Sequence, residues 1–231
     1  MENFSLNTVM LKEIFGCAKP LGHNEEADNL NLGFGFLYYG LVRALRPKHL
    51  MVIGSGFGFS VVCFALGIKD NGGGALTFVD PSYSLLKNGP FKTIGGANKW
   101  GEPNKVRQHF QQFGVEDIVT HYKLRSDQFF SSYASLGLPE IDIAFIDGSH
   151  AYEYVKHDFL RTLEHVRKNS YILLHDTNIY VREVIGHSGV KKWMKIIKKE
   201  KDFFEVINFP FSSGMALVRV LQKEVWRCTK P

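Results

Sequence analysis

Short apolar runs alternate with helical stretches along most of this chain, and that rhythm leaves few folds open to it. His49–Ile53, Ala75–Val79, Ile118–Leu124, Ile141–Ile146 and Tyr171–Leu174 read as strands. Between and around them, Phe36–Leu45, Ser60–Leu66, Asn104–Phe113, Gln128–Leu136, Tyr152–Val166 and Val190–Lys199 read as helices. In the stretch from Tyr152, the residues Tyr152, Val155, Phe159, Leu163 and Val166 recur at helical spacing. Ile141–Ile146 is nearly all apolar, as a strand covered on both faces must be. Phe203–Asn208 and Met215–Val220 form a closing pair of strands around Pro210 and Gly214. Such alternation predicts an α/β fold with a mostly parallel, doubly wound sheet between two helical layers. Ligands of these sheets sit beyond the carboxyl ends of the strands, so the residues directly after each strand are the ones to inspect.

Length and composition narrow the class. A chain of 231 residues with 45% hydrophobic and 22% charged residues is an ordinary globular chain, which excludes a disordered, collagen-like or disulfide-scaffold protein. We expect one α/β domain over 36–231, preceded by an extension over 1–35 that offers a homodimer contact. A glycine-rich stretch with Trp100, 81–103, reads as a lid-like insertion. Cys17, Cys63 and Cys228 have no zinc or C-x-x-C spacing, which points to a reduced, cytoplasmic setting. The first residues lack an apolar signal region, and no window holds 18 uninterrupted apolar residues, so no membrane span is expected. The net charge of +5 is concentrated in Lys191, Lys192, Lys195, Lys198, Lys199 and Lys201. Val190, Trp193, Met194 and Ile197 form an apolar face on the same helix, so a docked helix with a solvated basic side accounts for the lysines without nucleic acid.

The residues after the strands carry the chemistry. The first strand runs into Gly54-Ser55-Gly56-Phe57-Gly58-Phe59-Ser60. Glycines let the backbone turn sharply and approach a ligand, and the N–H groups at the next helix start can meet it. The sixth position of the dinucleotide fingerprint is Phe59, and no Gly-Lys-Ser/Thr follows, so neither that fingerprint nor a P-loop is present. A tight turn without a ligand stays open as the alternative. Asp80 ends the second strand, where a carboxylate can hold both hydroxyls of a ribose, or simply cap a turn. Ser126-Asp127 follows the third strand, as a helix cap or as a contact to an adenine amino group. Asp147 and Asp176 end two neighbouring strands, and close carboxylates repel unless a cation lies between them. His150, three residues after Asp147, suits a general base. The alternative is that both aspartates are caps and His150 lies on the surface.

The series VIGSGFGFS, FVDPS, RSDQF, AFIDGSHAYEYVKHDF and ILLHDT resembles class I S-adenosylmethionine-dependent methyltransferases. It is most similar to their small-molecule O-methyltransferase branch, over roughly Gly33 to Val220. The resemblance implies a Rossmann-like seven-stranded sheet with the last strand antiparallel. It implies cofactor binding by Gly54, Ser55, Gly56, Gly58, Phe59, Asp80, Pro81, Ser82, Ser126, Asp127 and Asp147. It further implies catalysis by His150 and Asp147, and a divalent cation, Mg²⁺ or Mn²⁺, on Asp147, His175 and Asp176. The expected partner is a small hydroxylated acceptor such as a sugar, a natural product or a phenol. The loop around Trp100 would close over it, and 179–189 would help bind it. Two departures stand out. Val52 occupies a place that is acidic in many relatives, which weakens the hold on the methionine amino group. His175 favours softer ions than Mg²⁺. These departures support a second reading, a methyltransferase-fold binding protein without catalysis. The lysines support a third, a nucleic-acid methyltransferase.

Overall fold

The structure is a computed structural model, and it describes residues 4–83, 86–88, 91–93, 98–178 and 189–222. Helix α1 (Thr8–Cys17) comes first, with the Asn7 side chain accepting from Val9 N and Met10 N as its cap. Helix α2 (Phe34–Leu45), β1 (His49–Ile53), α3 (Phe59–Asn71) and β2 (Ala75–Val79) follow. Two short strands, β3 (Leu86–Asn88) and β4 (Phe91–Thr93), pair only with each other. Then come α4 (Pro103–Gln111), β5 (Val119–Tyr122), α5 (Ser126–Ser132), β6 (Ile141–Ile146), α6 (Tyr152–His165) and β7 (Val166–His175). Helix α7 (Gly189–Ile197), β8 (Phe204–Phe209) and β9 (Met215–Val220) close the domain.

The main sheet has seven strands in the order β5-β2-β1-β6-β7-β9-β8. Strand β1 pairs in parallel with both β2 and β6, and β9 runs antiparallel to β7 and β8. The last strand is therefore the antiparallel one, as the sequence implied. All five residues of β1 are buried, which is why its sequence is a continuous apolar run. The winding goes outward from β1 through β2 to β5, then returns across β1 to β6 and β7. The strand order reverses at β1 and β6, so a crevice opens past their carboxyl ends.

Two cores cover the sheet. On one face α2, α3 and α4 pack with Tyr38, Phe64, Phe78 and Phe110, all almost wholly buried. On the other, α5, α6 and α7 pack with Phe129, Phe159 and Trp193. The amphipathic reading of α7 fits this second core: Val190, Trp193, Met194 and Ile197 are buried while Lys192, Lys195, Lys198 and Lys199 are exposed. Helix α3 is buried on every side between α2 and the sheet, so it shows no amphipathic period.

Several boundaries differ from the sequence reading. Strand β7 starts at Val166, five residues before the expected Tyr171, because the chain runs straight from α6 into the sheet. Helix α1 was not expected at all. Ile14, Ala18 and Leu32 are fully buried in the same core as α2 and α3, so residues before 36 pack as part of that core. Trp100 corrects the lid expectation. It is only 1% exposed, stacks on Phe110 and meets Phe78 edge-on, so it is a core residue behind the glycine turn and does not close over an acceptor. Most of the glycine-rich stretch around it, and residues 179–188 of the expected acceptor loop, lie outside the described residues.

Candidate active site

A cavity of about 960 Å³ opens where the crevice was expected, at the carboxyl ends of β1, β2, β5, β6 and β7. Gly54, Ser55, Gly56, Phe59, Asp80, Pro81, Ser126, Asp127, Asp147, His150, His175 and Asp176 all line it. Gly58 and Ser82, the two remaining expected cofactor residues, are not in its wall.

The glycines divide by task. Gly54 sits at φ +74°, and a Cβ there would lie 2.5 Å from the Asp147 carbonyl oxygen. It is the place where the β1 and β6 ends touch. A Cβ on Gly56 would meet nothing within 4 Å, so this glycine presents bare backbone to the cavity. Gly58, at φ +85°, faces Trp100 and His109 behind the turn, so its role is in packing. Asp80 accepts the backbone N–H of Ser82 at 2.7 Å and of Ser55 at 3.4 Å. Burial is the largest influence on its carboxyl group and raises its pKa. Ser82 is thus a residue that fixes Asp80 from outside the cavity. Asp127, in the first turn of α5, is half exposed and pairs with Arg125, whose hydrogen bond holds its pKa low. Tyr83 and Tyr154 are 42% and 52% exposed on the cavity lining, where sequence reasoning named neither.

The opposite wall is a cluster of imidazoles and carboxylates. His150 Nδ1 lies 2.9 Å from Asp176 Oδ2, and its Nε2 lies 3.5 Å from Asp147 Oδ1. His175 Nδ1 lies 3.0 Å from the same Asp147 oxygen. Burial works against charge on His150, but Asp176 and Asp147 outweigh it and raise its pKa to about 9. His175 shifts upward for the same reason, with Asp147 as its main support. Burial likewise opposes ionisation of Asp147 and Asp176, yet the two imidazoles bring both below the ordinary carboxylate range. His150 and His175 thus stand where the sequence placed a cation beside the paired aspartates. Asp176 is held at φ +61°, a left-handed conformation that aspartate tolerates better than most residues.

Sequence reasoning missed the segment that closes this wall. The Gly22 carbonyl lies 3.1 Å from His175 Nε2 and also accepts the Ser213 hydroxyl. His23 stacks on His175 with ring centroids 4.1 Å apart, and its Nδ1 lies 3.0 Å from the Tyr38 hydroxyl. Burial lowers the His23 pKa to about 3. Residues 18–26 carry no periodicity or strand end to mark them, and the His175–Gly22 contact joins positions 153 residues apart. No local signal in the sequence identifies them.

Two groups of ligating atoms lie within 4.8 Å of one another: Asp147, His150 and Asp176, and His23, Asp147 and His175. Both contain donors that suit a divalent ion. Val52 is fully buried within β1. Among the described residues no helix is long and apolar enough to cross a membrane.

Similar chains are found among solved structures. The O-methyltransferase TomG of Streptomyces achromogenes, involved in tomaymycin synthesis and solved with S-adenosylmethionine, is 14% identical with a TM-score of 0.65; the match covers 96% of this chain and 92% of that one. The Bacillus cereus O-methyltransferase solved with S-adenosylhomocysteine is 14% identical with a TM-score of 0.64, covering 95% and 92%. At these identities the likeness speaks for the fold. A relative from Sinorhizobium fredii, the uncharacterized protein y4gI, is 26% identical over 180 residues; the match covers 77% of this chain but only 18% of that protein's length. A methyltransferase-domain family model matches residues 51–177, which run from β1 through the glycine turn and both aspartates to Thr177. That span is more than half of the chain and holds most of the residues that line the cavity, and the chain belongs to the methyltransferase-domain family.

Proposed function

We propose that this methyltransferase uses S-adenosylmethionine to methylate a hydroxyl oxygen on a small molecule. One observation carries the reading: a single cavity has bare glycine backbone and a half-buried carboxylate on one wall and an imidazole held between two aspartates on the other. That S-adenosylmethionine and S-adenosylhomocysteine are bound in similar O-methyltransferase structures supports the choice of cofactor.

Bound S-adenosylmethionine supplies an electrophilic methyl group on a sulfonium, which passes to the acceptor oxygen and leaves a neutral thioether. Gly54, Ser55 and Gly56 offer backbone for close approach, and Asp80 has the carboxylate for the ribose hydroxyls. Holding an acceptor oxygen in line with the sulfur–methyl bond is worth on the order of 7–11 kcal/mol. His150 takes the hydroxyl proton as the oxygen attacks, and Asp147 and Asp176 stabilise the imidazolium that results. It does so from its deprotonated form, which its raised pKa leaves scarce at neutral pH and which grows toward alkaline pH. Asp147, His175 and Asp176 have the donors to hold a divalent ion, which would lower the acceptor's pKa.

The test is calorimetric titration with S-adenosylhomocysteine, using NAD as control, followed by a screen of hydroxylated acceptors. Binding of S-adenosylhomocysteine without binding of NAD is expected. Absence of S-adenosylhomocysteine binding with and without added Mg²⁺ or Mn²⁺ would overturn the reading. With an acceptor in hand, His150→Ala should cut turnover by roughly 10²–10⁴-fold while leaving S-adenosylhomocysteine affinity nearly unchanged.

A further inference from the structure

Three consecutive residues behind the glycine wall reach both of its turns and the first helix. Asn98, Lys99 and Trp100 precede α4, and none of them lines the cavity. Trp100 is packed under the glycine turn, where a Cβ on Gly58 would lie 2.9 Å from its ring. Lys99 Nζ donates to the Cys17 carbonyl at 2.6 Å and to the Phe57 carbonyl at 3.4 Å. The same ammonium lies 5.8 Å from the Phe57 ring centroid and 5.5 Å from that of Trp100. Asn98 Oδ1 accepts the Ser82 hydroxyl at 3.3 Å, and Ser82 N donates to Asp80.

Each contact of Lys99 does a separate job. Cys17 is the last residue of α1, and a terminal helix carbonyl has no partner within its own helix. A cation there also meets the negative end of the helix dipole. At the turn, the Phe57–Gly58 peptide is held on both sides. Its carbonyl faces Lys99, and its N–H donates to the Ser55 carbonyl at 3.0 Å. Gly56 and Phe57, in the turn closed this way, line the cavity. Burial is the largest influence on Lys99 and lowers its pKa, so the charge is kept here against a desolvation cost. Two carbonyls and two aromatic rings offset that cost, and together they fix where the ammonium sits.

We propose that Lys99 is a positioning residue for the cofactor: with Asn98 and Trp100 it braces the glycine turn and the Asp80 turn from behind and couples them to α1. The inference rests on the reading that S-adenosylmethionine binds against this wall. A ligand arriving there meets a turn that is already shaped and does not have to order it. Because one ammonium holds both Phe57 and Cys17, a ligand that stiffens the turn also stiffens α1, although no residue of α1 lines the cavity.

The experiment titrates S-adenosylhomocysteine into the full chain and its variants, and follows amide hydrogen exchange in the same samples. Lys99→Met keeps the apolar stem and removes the donors, and should bind about tenfold more weakly than the parent. Lys99→Arg returns charge and donors, and should recover most of that affinity. At saturating S-adenosylhomocysteine the amides of α1 should exchange more slowly in the parent chain but not in Lys99→Met. Circular dichroism checks that both variants fold. Parent affinity in Lys99→Met would overturn the proposal, and equal losses in Lys99→Met and Lys99→Arg would mark a packing effect and overturn it too. So would α1 amides indifferent to the ligand in the parent chain, a result that needs no variant to fold. A parent chain that binds no S-adenosylhomocysteine overturns the methyl-transfer reading itself. One that binds it, beside a Lys99→Met chain that binds it equally well, sinks the brace alone.

Discussion

The cavity's two walls solve the same problem, a carboxylate largely drawn out of water, in opposite ways. Asp147 and Asp176 have their counter-ions built in, since His150 and His175 stand between and beside them. Asp80 has only backbone N–H groups, and among the described residues no basic side chain pairs with it. Ionisation is therefore favoured in the first pair and opposed by burial in the second. A self-neutralised cluster holds itself together without a ligand. A lone buried carboxylate is a standing cost that hydrogen bonds from a ligand can repay.

Removing a charge from the paired wall should therefore have the largest effect. Asp147→Ala leaves two imidazoles facing one carboxylate in a buried cluster, and should cost about 3–5 kcal/mol in urea unfolding. A loss below about 1 kcal/mol would mean that the cluster is solvated and the contrast false. Next comes the seam between the walls. Gly54→Ala puts a Cβ against the Asp147 carbonyl at a positive φ, and should cost at least about 2 kcal/mol. Gly56→Ala, in open space, should stay within about 0.5 kcal/mol in the same assay. Equal losses at the two positions would remove the distinction drawn between them.

The two walls should also separate by pH. The pKa of His150 rises from 6.5 to about 9 on folding, so its stabilisation is complete below about pH 6.5 and lost as pH rises through 9. Asp147 and Asp176 fall below their ordinary 3.8, so their contribution is complete above about pH 4 and lost under stronger acid. The melting-temperature gap between the parent chain and His150→Gln should accordingly be widest between these limits and close above pH 9. The smallest effect belongs to the other wall. Asp80→Asn removes an uncompensated charge, and should leave stability at pH 7 unchanged or raised by up to about 1 kcal/mol while weakening S-adenosylhomocysteine binding. A marked loss of stability would show that Asp80 serves the fold itself.

What was legible in the sequence follows the same division. The alternation of strands and helices, the crevice and the strand-end residues Gly54, Asp80, Asp147 and Asp176 could be read because each strand is an apolar run that stops where a ligand-facing residue begins. The strands β1 and β6 were found to the residue for that reason. Helix α1 escaped although it is rich in apolar residues, because only Ile14 within it is buried and the exposed Val9 blurs the period. Trp100 was misread because a tryptophan among glycines looks like part of a loop, whereas its ring fills the space between Phe78 and Phe110. His23 was invisible because the contacts that give it a role are made with Tyr38 and His175, neither of them near it in the chain.

The bond from Gly22 to His175, with Ser213 joining the same carbonyl, also has a consequence for the order of events in folding. It ties together positions separated by 153 and 191 residues. Contacts that distant are entropically expensive and form late. The glycine turn and Asp80 lie within a run that a ribosome has delivered by residue 82, and the backbone bond from Asp147 to Ile53 can form soon after β6 emerges. The imidazole wall must wait for β9. The glycine turn can thus take shape early in synthesis, whereas the imidazole wall is complete only when nearly all of the described chain has been made.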